Sequence, residues 1–267
     1  MPLNAVLRAE LLDLVPNGLL VTRSWLMERG IARHAIDNLV KSRQLLSLRP
    51  GVYIRPGNRL VWQGAVCSLQ RMGGDLVVGG TTALELHGRT QYLPLSGRRT
   101  IHLYGSGQMP SWIDKLGLAE TFCRYGMAWM SELEKSPKPS CKERSASVFT
   151  VDVPWGDGFR IVRTSTLERA LFELLKDVPA RVSFEHAEQL MEGLADLSPR
   201  RLDALLQRTR SVKVKRLFFW LAERQGHPWL KRLDPGDFDL GRGKRVLERG
   251  GRLVSRYGIT VPRTMHG

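Results

Sequence analysis

Residues 45–57 read Leu45-Leu46-Ser47-Leu48-Arg49-Pro50-Gly51-Val52-Tyr53-Ile54-Arg55-Pro56-Gly57. Pro50 presets φ for the second position of a type II turn, and Gly51 supplies the positive φ that the third position needs. Leu46 and Leu48 on one side and Val52 and Ile54 on the other recur with a period of two. The stretch therefore predicts a β-hairpin that turns those four side chains inward and carries Arg49 at its bend.

The residues before the hairpin give it a context. Leu7, Leu11, Leu14 and Val15 recur at helical spacing, which predicts a first helix over roughly residues 3–15, stopped by Pro16-Asn17-Gly18. Leu19-Leu20-Val21 is a short β-prone run, and the Thr22 hydroxyl stands where it can cap a second helix over Arg23 to Arg29. Gly30 ends that helix with a left-handed residue and brings Ile31 against Leu26. A turn this tight between short helices is a helix-turn-helix signal. The third helix, from about Ala32 to Arg43, clusters Ile36, Leu39 and Val40 within about 100° of arc, so that arc faces inward. Ala32 has no side-chain acceptor, a loss of about 1 kcal/mol against Ser or Asp at a helix N-cap that packing must offset.

The opposite arc of the third helix carries His34, Asp37, Asn38 and Lys41, with Arg33 and Arg43 at its ends. Asn is matched to adenine, and Lys to guanine or phosphate. An ordinary solvated face has the same composition; what favours base contact over it is the hairpin that follows. Helix, short strand, helix, helix, hairpin is the order of a winged helix-turn-helix, which sets Arg49, with Arg55 beyond it, against phosphates or the minor groove of double-stranded DNA.

The whole chain agrees with a polyanionic partner. Its 267 residues carry 41 basic and 26 acidic side chains, a formal charge of +15, distributed as +5 over residues 1–60, +2 over 61–180 and +8 over 181–267. Hydrophobic residues at 42% leave ample material for a core and exclude a wholly disordered or fibrous chain. The three cysteines, Cys67, Cys123 and Cys141, lie far apart without CxxC spacing, which fits a reducing compartment and supports neither a disulfide framework nor a zinc knuckle. No run of about 18 apolar residues occurs and no basic leader opens the chain, so a cytoplasmic protein with no membrane partner is expected.

Pro56-Gly57-Asn58 marks a boundary, and the expected domains are residues 1–58 and 59–267. The second begins with a helix over Trp62 to Met72 and has strand-like runs at Leu76 to Val78, Thr100 to Tyr104, Ser147 to Val153 and Phe159 to Val162, with a surface loop over Glu134 to Ser140. From Ser165 onward helices dominate, the first opened by a capping-box pattern of Ser165 and Glu168. Arg208, Arg210, Lys213, Lys215 and Arg216 place five cations within nine residues. Such a cluster suits phosphates, or an acidic protein surface whose encounter it would steer, or simply solvent.

Gly30-Ile31, Leu39-Val40 and Leu48-Arg49-Pro50-Gly51-Val52-Tyr53 together resemble the AbiEi family of antitoxins from type IV AbiE toxin-antitoxin systems. The resemblance continues through Ala83-Leu84-Glu85-Leu86-His87-Gly88, Ser165-Thr166-Leu167-Glu168-Arg169-Ala170 and Lys213-Val214-Lys215-Arg216-Leu217-Phe218. It closes with Asp239-Leu240-Gly241-Arg242-Gly243-Lys244-Arg245 and Tyr257-Gly258-Ile259-Thr260-Val261-Pro262. It implies a winged-helix domain that binds inverted repeats in the promoter of its own operon and represses it. It also implies an α/β domain that counters an AbiEii-type nucleotidyltransferase toxin, with direct contact left open. Inverted repeats further suggest self-association of two copies on DNA.

Catalytic readings find little support. Ser106 and Asp114 echo a nucleotidyltransferase site, but Lys115 stands where a second metal-binding carboxylate would be. Gly241-Arg242-Gly243-Lys244 lacks the glycine spacing of a P-loop. No Glu-x-Lys or Asp-x-Lys nuclease tripeptide occurs. His186 between Glu185 and Glu188 reads as a surface histidine, because neighbouring helical residues point about 100° apart. His87 and His102 read as structural, and the seven tryptophans are spread along the chain as core or interface anchors rather than as a base-stacking platform. The expectation is thus an α+β, non-enzymatic regulator without metal or cofactor, an N-terminal winged helix-turn-helix followed by a larger mixed α/β domain that ends in a helical region.

Overall fold

The computed structural model describes residues 13–57, 59–89, 97–130, 148–156, 158 and 160–265. Residues 13 and 14 are helical and Val15 is a buried bend; residues 3–12 of the expected first helix and the stretch 134–140 lie outside the described residues. Strand β1 (Leu20–Thr22) leads directly into α1 (Arg23–Met27), because the Thr22 hydroxyl accepts from the Trp25 N–H at 3.2 Å. Gly30 closes the helix at φ +81°, and the Ile31 N–H returns to the Leu26 carbonyl at 3.1 Å. Helix α2 (Arg33–Lys41) starts at Ala32 with no side-chain cap, and its Ala35, Ile36 and Leu39 are sealed against Trp25, Leu26, Leu45 and Tyr53. Packing supplies what the cap does not.

Strands β2 (Leu46–Arg49) and β3 (Val52–Ile54) form the expected hairpin, with Gly51 at φ +74°, and β1 joins it in the order β1-β3-β2, antiparallel throughout. The alternation fails on one side. A register shift between Ser47 and Arg49 turns β2, an edge strand, so that Leu46 is 41% exposed, whereas all three residues of the central β3 are buried.

After the hairpin the chain forms α3 (Trp62–Arg71), β4 (Val77–Val78), α4 (Gly80–Leu86), β5 (Thr100–Tyr104), a 3-10 turn (Ile113–Lys115), β6 (Thr121–Tyr125), β7 (Thr150–Trp155) and β8 (Arg160–Ser165). The five strands order as β6-β5-β4-β8-β7, with β4/β8 and β5/β6 parallel and the other pairs antiparallel. One face, Ile101, Leu103, Phe122 and Val162, packs on α3. That same core takes in Leu20, Val52 and Ile54 of the N-terminal sheet. The junction is close: the Leu20 N–H donates to the Ser68 hydroxyl of α3 at 2.7 Å, and a Cβ on Gly64 would stand 2.3 Å from the Gly18 carbonyl oxygen. The N-terminal unit is packed on the rest of the chain.

The other face of the sheet turns His102 and Tyr104 toward α4 and toward α5 (Leu167–Asp177). Glu173 of α5 is fully buried there, accepting from Arg169 Nε at 2.7 Å, from the Ser165 hydroxyl at 2.9 Å and from the Gly80 N–H at 2.9 Å. Burial pushes its carboxyl above the usual range, and Arg169 pulls the other way. A Cβ on Gly79 would fall 2.1 Å from this carboxylate, which explains the glycine. Thr166, one residue after the expected cap, caps α5; Ser165 is held by Glu173, and Glu168 reaches across to the Ser198 N–H.

Helices α6 (Phe184–Glu192), α7 (Pro199–Arg208) and α8 (Val212–Gln225) complete the main core with α5. Every residue from Val214 to Ala222 in α8 is buried. The chain does not end in helices as expected: β9 (Arg245–Val246), β10 (Arg252–Val254) and β11 (Ile259–Val261) form a small sheet of order β10-β11-β9 against α8.

Candidate nucleic-acid interface

The two arcs of α2 differ as amphipathicity requires. Its inner arc is sealed, while Arg33, His34, Asn38 and Lys41 are exposed, as is Arg43 just beyond the helix. Arg43 sits at φ +56°, a left-handed conformation that glycine usually fills, yet the position carries a guanidinium. Asp37 is half-buried and bound to Arg23 Nη2 at 2.8 Å. The same Arg23 donates to the Tyr53 hydroxyl from Nε at 2.8 Å, and these contacts, Tyr53 first, hold its proton more firmly than usual. Asp37 therefore ties α1, α2 and β3 together and leaves the open arc cationic and amide-bearing. Sequence reading placed it among base-contacting residues because Arg23 and Tyr53 are remote from it in sequence.

Arg49 stands at the bend of the hairpin and is exposed. Its Nε donates to the Lys115 carbonyl at 2.6 Å, and its Nη2 donates to the same oxygen. Arg55 is half-buried and engaged within the chain. Arg29, which sequence reading passed over, is exposed at the end of α1 with its guanidinium 3.6 Å from the Trp25 ring centroid. A tryptophan four residues before an arginine, at helical spacing, was the available signal.

The cations read from residues 208–216 do not form a surface. Lys213 Nζ donates to the carbonyls of Lys176 and Val178, at 2.6 and 2.5 Å, and burial lowers its pKa to about 8. Lys215 is buried and donates to the Asp239 carbonyl at 3.2 Å. Arg216, 4% exposed, donates to four carbonyls, those of Leu240, Gly241, Gly243 and Gly258, at 2.6 to 3.2 Å. Burial lowers both of their pKa values. Because Val214–Ala222 of α8 is buried, Lys215 and Arg216 must satisfy backbone oxygens that would otherwise lack donors, and the half-buried Lys213 does the same at the edge of that stretch. The expected partner or phosphate role of Lys213, Lys215 and Arg216 is replaced by this one. Arg208 is half-buried over the Phe149 ring, and only Arg210 of the five is exposed.

Other sequence candidates are occupied locally. Ser106 donates to Asp75, His87 Nε2 meets the Ser165 carbonyl at 2.9 Å, and His102 Nδ1 meets the Thr82 hydroxyl at 3.0 Å. Burial lowers the pKa of His102 and of the half-buried His186, and Glu188 pairs with Arg224 at 2.5 Å. Among the described residues no group of three His, Cys, Asp or Glu side chains could hold a metal ion, and no helix is long and apolar enough to cross a membrane.

Comparison with known proteins adds three findings. A search of curated proteins returns no match. A crystal structure of the RV2827C protein from Mycobacterium tuberculosis shares the fold, with a TM-score of 0.53 at 16% identity over 91% of this chain and 86% of that one. Two family models cover most of the sequence: residues 5–95 match the N-terminal domain of the AbiEi antitoxin transcriptional regulators, and residues 98–262 match the AbiEi antitoxin transcriptional regulator of type IV toxin-antitoxin systems. With both halves matched in order, this chain belongs to the AbiEi antitoxin family of transcriptional regulators.

Proposed function

We propose that residues 1–58 act as a winged helix-turn-helix reader of double-stranded DNA, that α2 enters the major groove, and that the body 59–267 serves the antitoxin role. The observation that carries this reading is the split of α2, with Ala35, Ile36 and Leu39 sealed while His34, Asn38 and Lys41 lie open beside a hairpin bearing Arg49. A regulator in such a system acts on its own promoter, where inverted repeats would seat two copies. It represses without catalysis and counters a nucleotidyltransferase toxin. Titration of a labelled duplex carrying the promoter upstream of the chain's own reading frame, against a scrambled duplex, tests it. Asn38→Ala and Lys41→Ala are expected to reduce the preference for the promoter by roughly 1–3 kcal/mol, and Arg49→Ala to weaken both duplexes alike. Three variants that bind both duplexes like the parent would refute the reading.

A second reading, direct capture of the toxin by the body, has its own support. An open cleft of about 560 Å³ is lined by Arg200, Arg201 and Arg208 together with Val148 and Phe149. Such a lining suits an acidic segment of a protein that also carries apolar side chains. Charge reversal at Arg200 and Arg201 should abolish co-purification with the toxin if this reading holds. Reversal at Lys213, Lys215 or Arg216 would report on folding instead, since those side chains are internal ligands of carbonyls.

A further inference from the structure

Arg49 is gripped from outside its own hairpin. Two of its N–H groups, on Nε and Nη2, converge on one acceptor, the carbonyl of Lys115, which lies 66 residues further along the chain on the 3-10 turn Ile113–Lys115. Ile113 anchors that turn in the core shared by α3 and the two sheets, at 1% exposure. A guanidinium held along its Nε/Nη2 edge keeps the Nη1/Nη2 edge for a further acceptor, and two parallel N–H groups at that edge match the oxygens of a phosphate. Lys115 itself is exposed, and its ammonium has no ion-pair partner among the described residues. Its carbonyl touches the Arg49 guanidinium, so the residue that bears this ammonium lies directly beside Arg49, and the exposed Asp114 of the same turn brings one opposing charge.

From this juxtaposition of Arg49 and the turn 113–115 we propose that the DNA-contacting surface is completed by the sheet body, with Lys115 as an additional phosphate contact and its carbonyl as the group that positions Arg49. This rests on the DNA-reading function proposed above and extends it across the boundary between the two parts of the chain. In free protein the grip removes rotamers from a long side chain before DNA arrives, so less conformational entropy is lost on binding. Neither role is legible from the hairpin sequence, because the acceptor is a backbone oxygen.

The full chain, titrated with the promoter duplex and the scrambled duplex between about 50 and 200 mM salt, tests the proposal. Lys115→Ala keeps the carbonyl and removes one cation. It is expected to weaken both duplexes by a common factor of roughly three to ten at 0.1 M salt and to make the log–log salt slope shallower by about 0.9. Lys115→Glu is expected to weaken binding further, and Lys115→Arg to restore it. Arg49→Lys keeps the charge but cannot place two N–H groups on one carbonyl. It is expected to lose affinity at an unchanged slope. If Lys115→Ala and Lys115→Glu bind within twofold of the parent with the parent's slope, while Lys41→Ala weakens binding, the turn is not part of the surface and this inference fails alone. If the parent chain binds neither duplex in a salt-dependent way, the DNA-reading function fails and takes the inference with it.

Discussion

Lys213 shows how far a residue's position can overrule its type. In sequence it is one of five clustered cations; in the fold its ammonium donates to the carbonyls of Lys176 and Val178. Burial, with the nearby Lys176 charge in a smaller role, lowers its pKa to about 8, against 10.5 ordinarily. The unfolded chain therefore holds this proton between about pH 8 and the ordinary lysine range while the folded chain releases it. Stability attributable to Lys213 rises with pH across that window. Urea midpoints measured at pH 7.5 and 9.5 should show the parent gaining relative to Lys213→Met as pH increases; a constant difference between the two would mean the ammonium is as well solvated folded as unfolded. Arg49 teaches the complementary lesson. Its place at a bend was readable from Pro50-Gly51, but its acceptor was not, because a carbonyl 66 residues away leaves no trace in local pattern.

Among the elements, those whose burial is one-sided were legible. The α1 stop at Gly30, the split faces of α2 and the turn at Gly51 each follow from a residue type that local geometry demands. Strand β6 was missed because it is an edge strand with only Phe122 buried, so it shows no period of two. The sheet of β9, β10 and β11 was missed because strands of two and three residues carry no period at all; it is organised instead by Arg216 and by the Thr260 hydroxyl, which accepts from the Leu247 and Glu248 N–H groups. Helix α3 bears the test at this scale. Gly→Ala inside a helix ordinarily stabilises by up to about 1 kcal/mol. At Gly64, however, the new Cβ would meet the Gly18 backbone oxygen at 2.3 Å and the Trp155 ring at 3.3 Å. A backbone oxygen cannot swing aside as a flexible side chain would, so the clash outweighs the propensity gain. Gly64→Ala is expected to lower stability by about 1–3 kcal/mol in thermal or urea unfolding; a variant as stable as the parent would show that the N-terminal sheet is free to lift from α3.

At the scale of the molecule, the proposed boundary at residues 58 and 59 divides roles without dividing the core. Leu20, Val52 and Ile54 share one apolar cluster with Trp62, Ala65, Val66 and Leu69, and the buried Leu20 N–H depends on Ser68. Cutting the chain after residue 58 exposes that cluster and orphans the donor, at a cost of about 1–3 kcal/mol for the donor alone. So short a piece has little stability in reserve. A fragment of residues 1–58 is expected to show no sigmoidal thermal transition by circular dichroism, although the sequence reading assigns it a function of its own. A cooperative transition would establish it as independently folding.

The seam between Gly18 and Gly64 also bears on how two copies could sit side by side on a promoter. Readers on slack tethers can straddle half-sites at many separations, since each swings to its own groove. Here the proposed reader is packed against its bulk, so a second molecule would have to arrive with its whole frame already in phase. Under that constraint the gap between the proposed repeats would be a dimension of the protein's girth, written into the DNA.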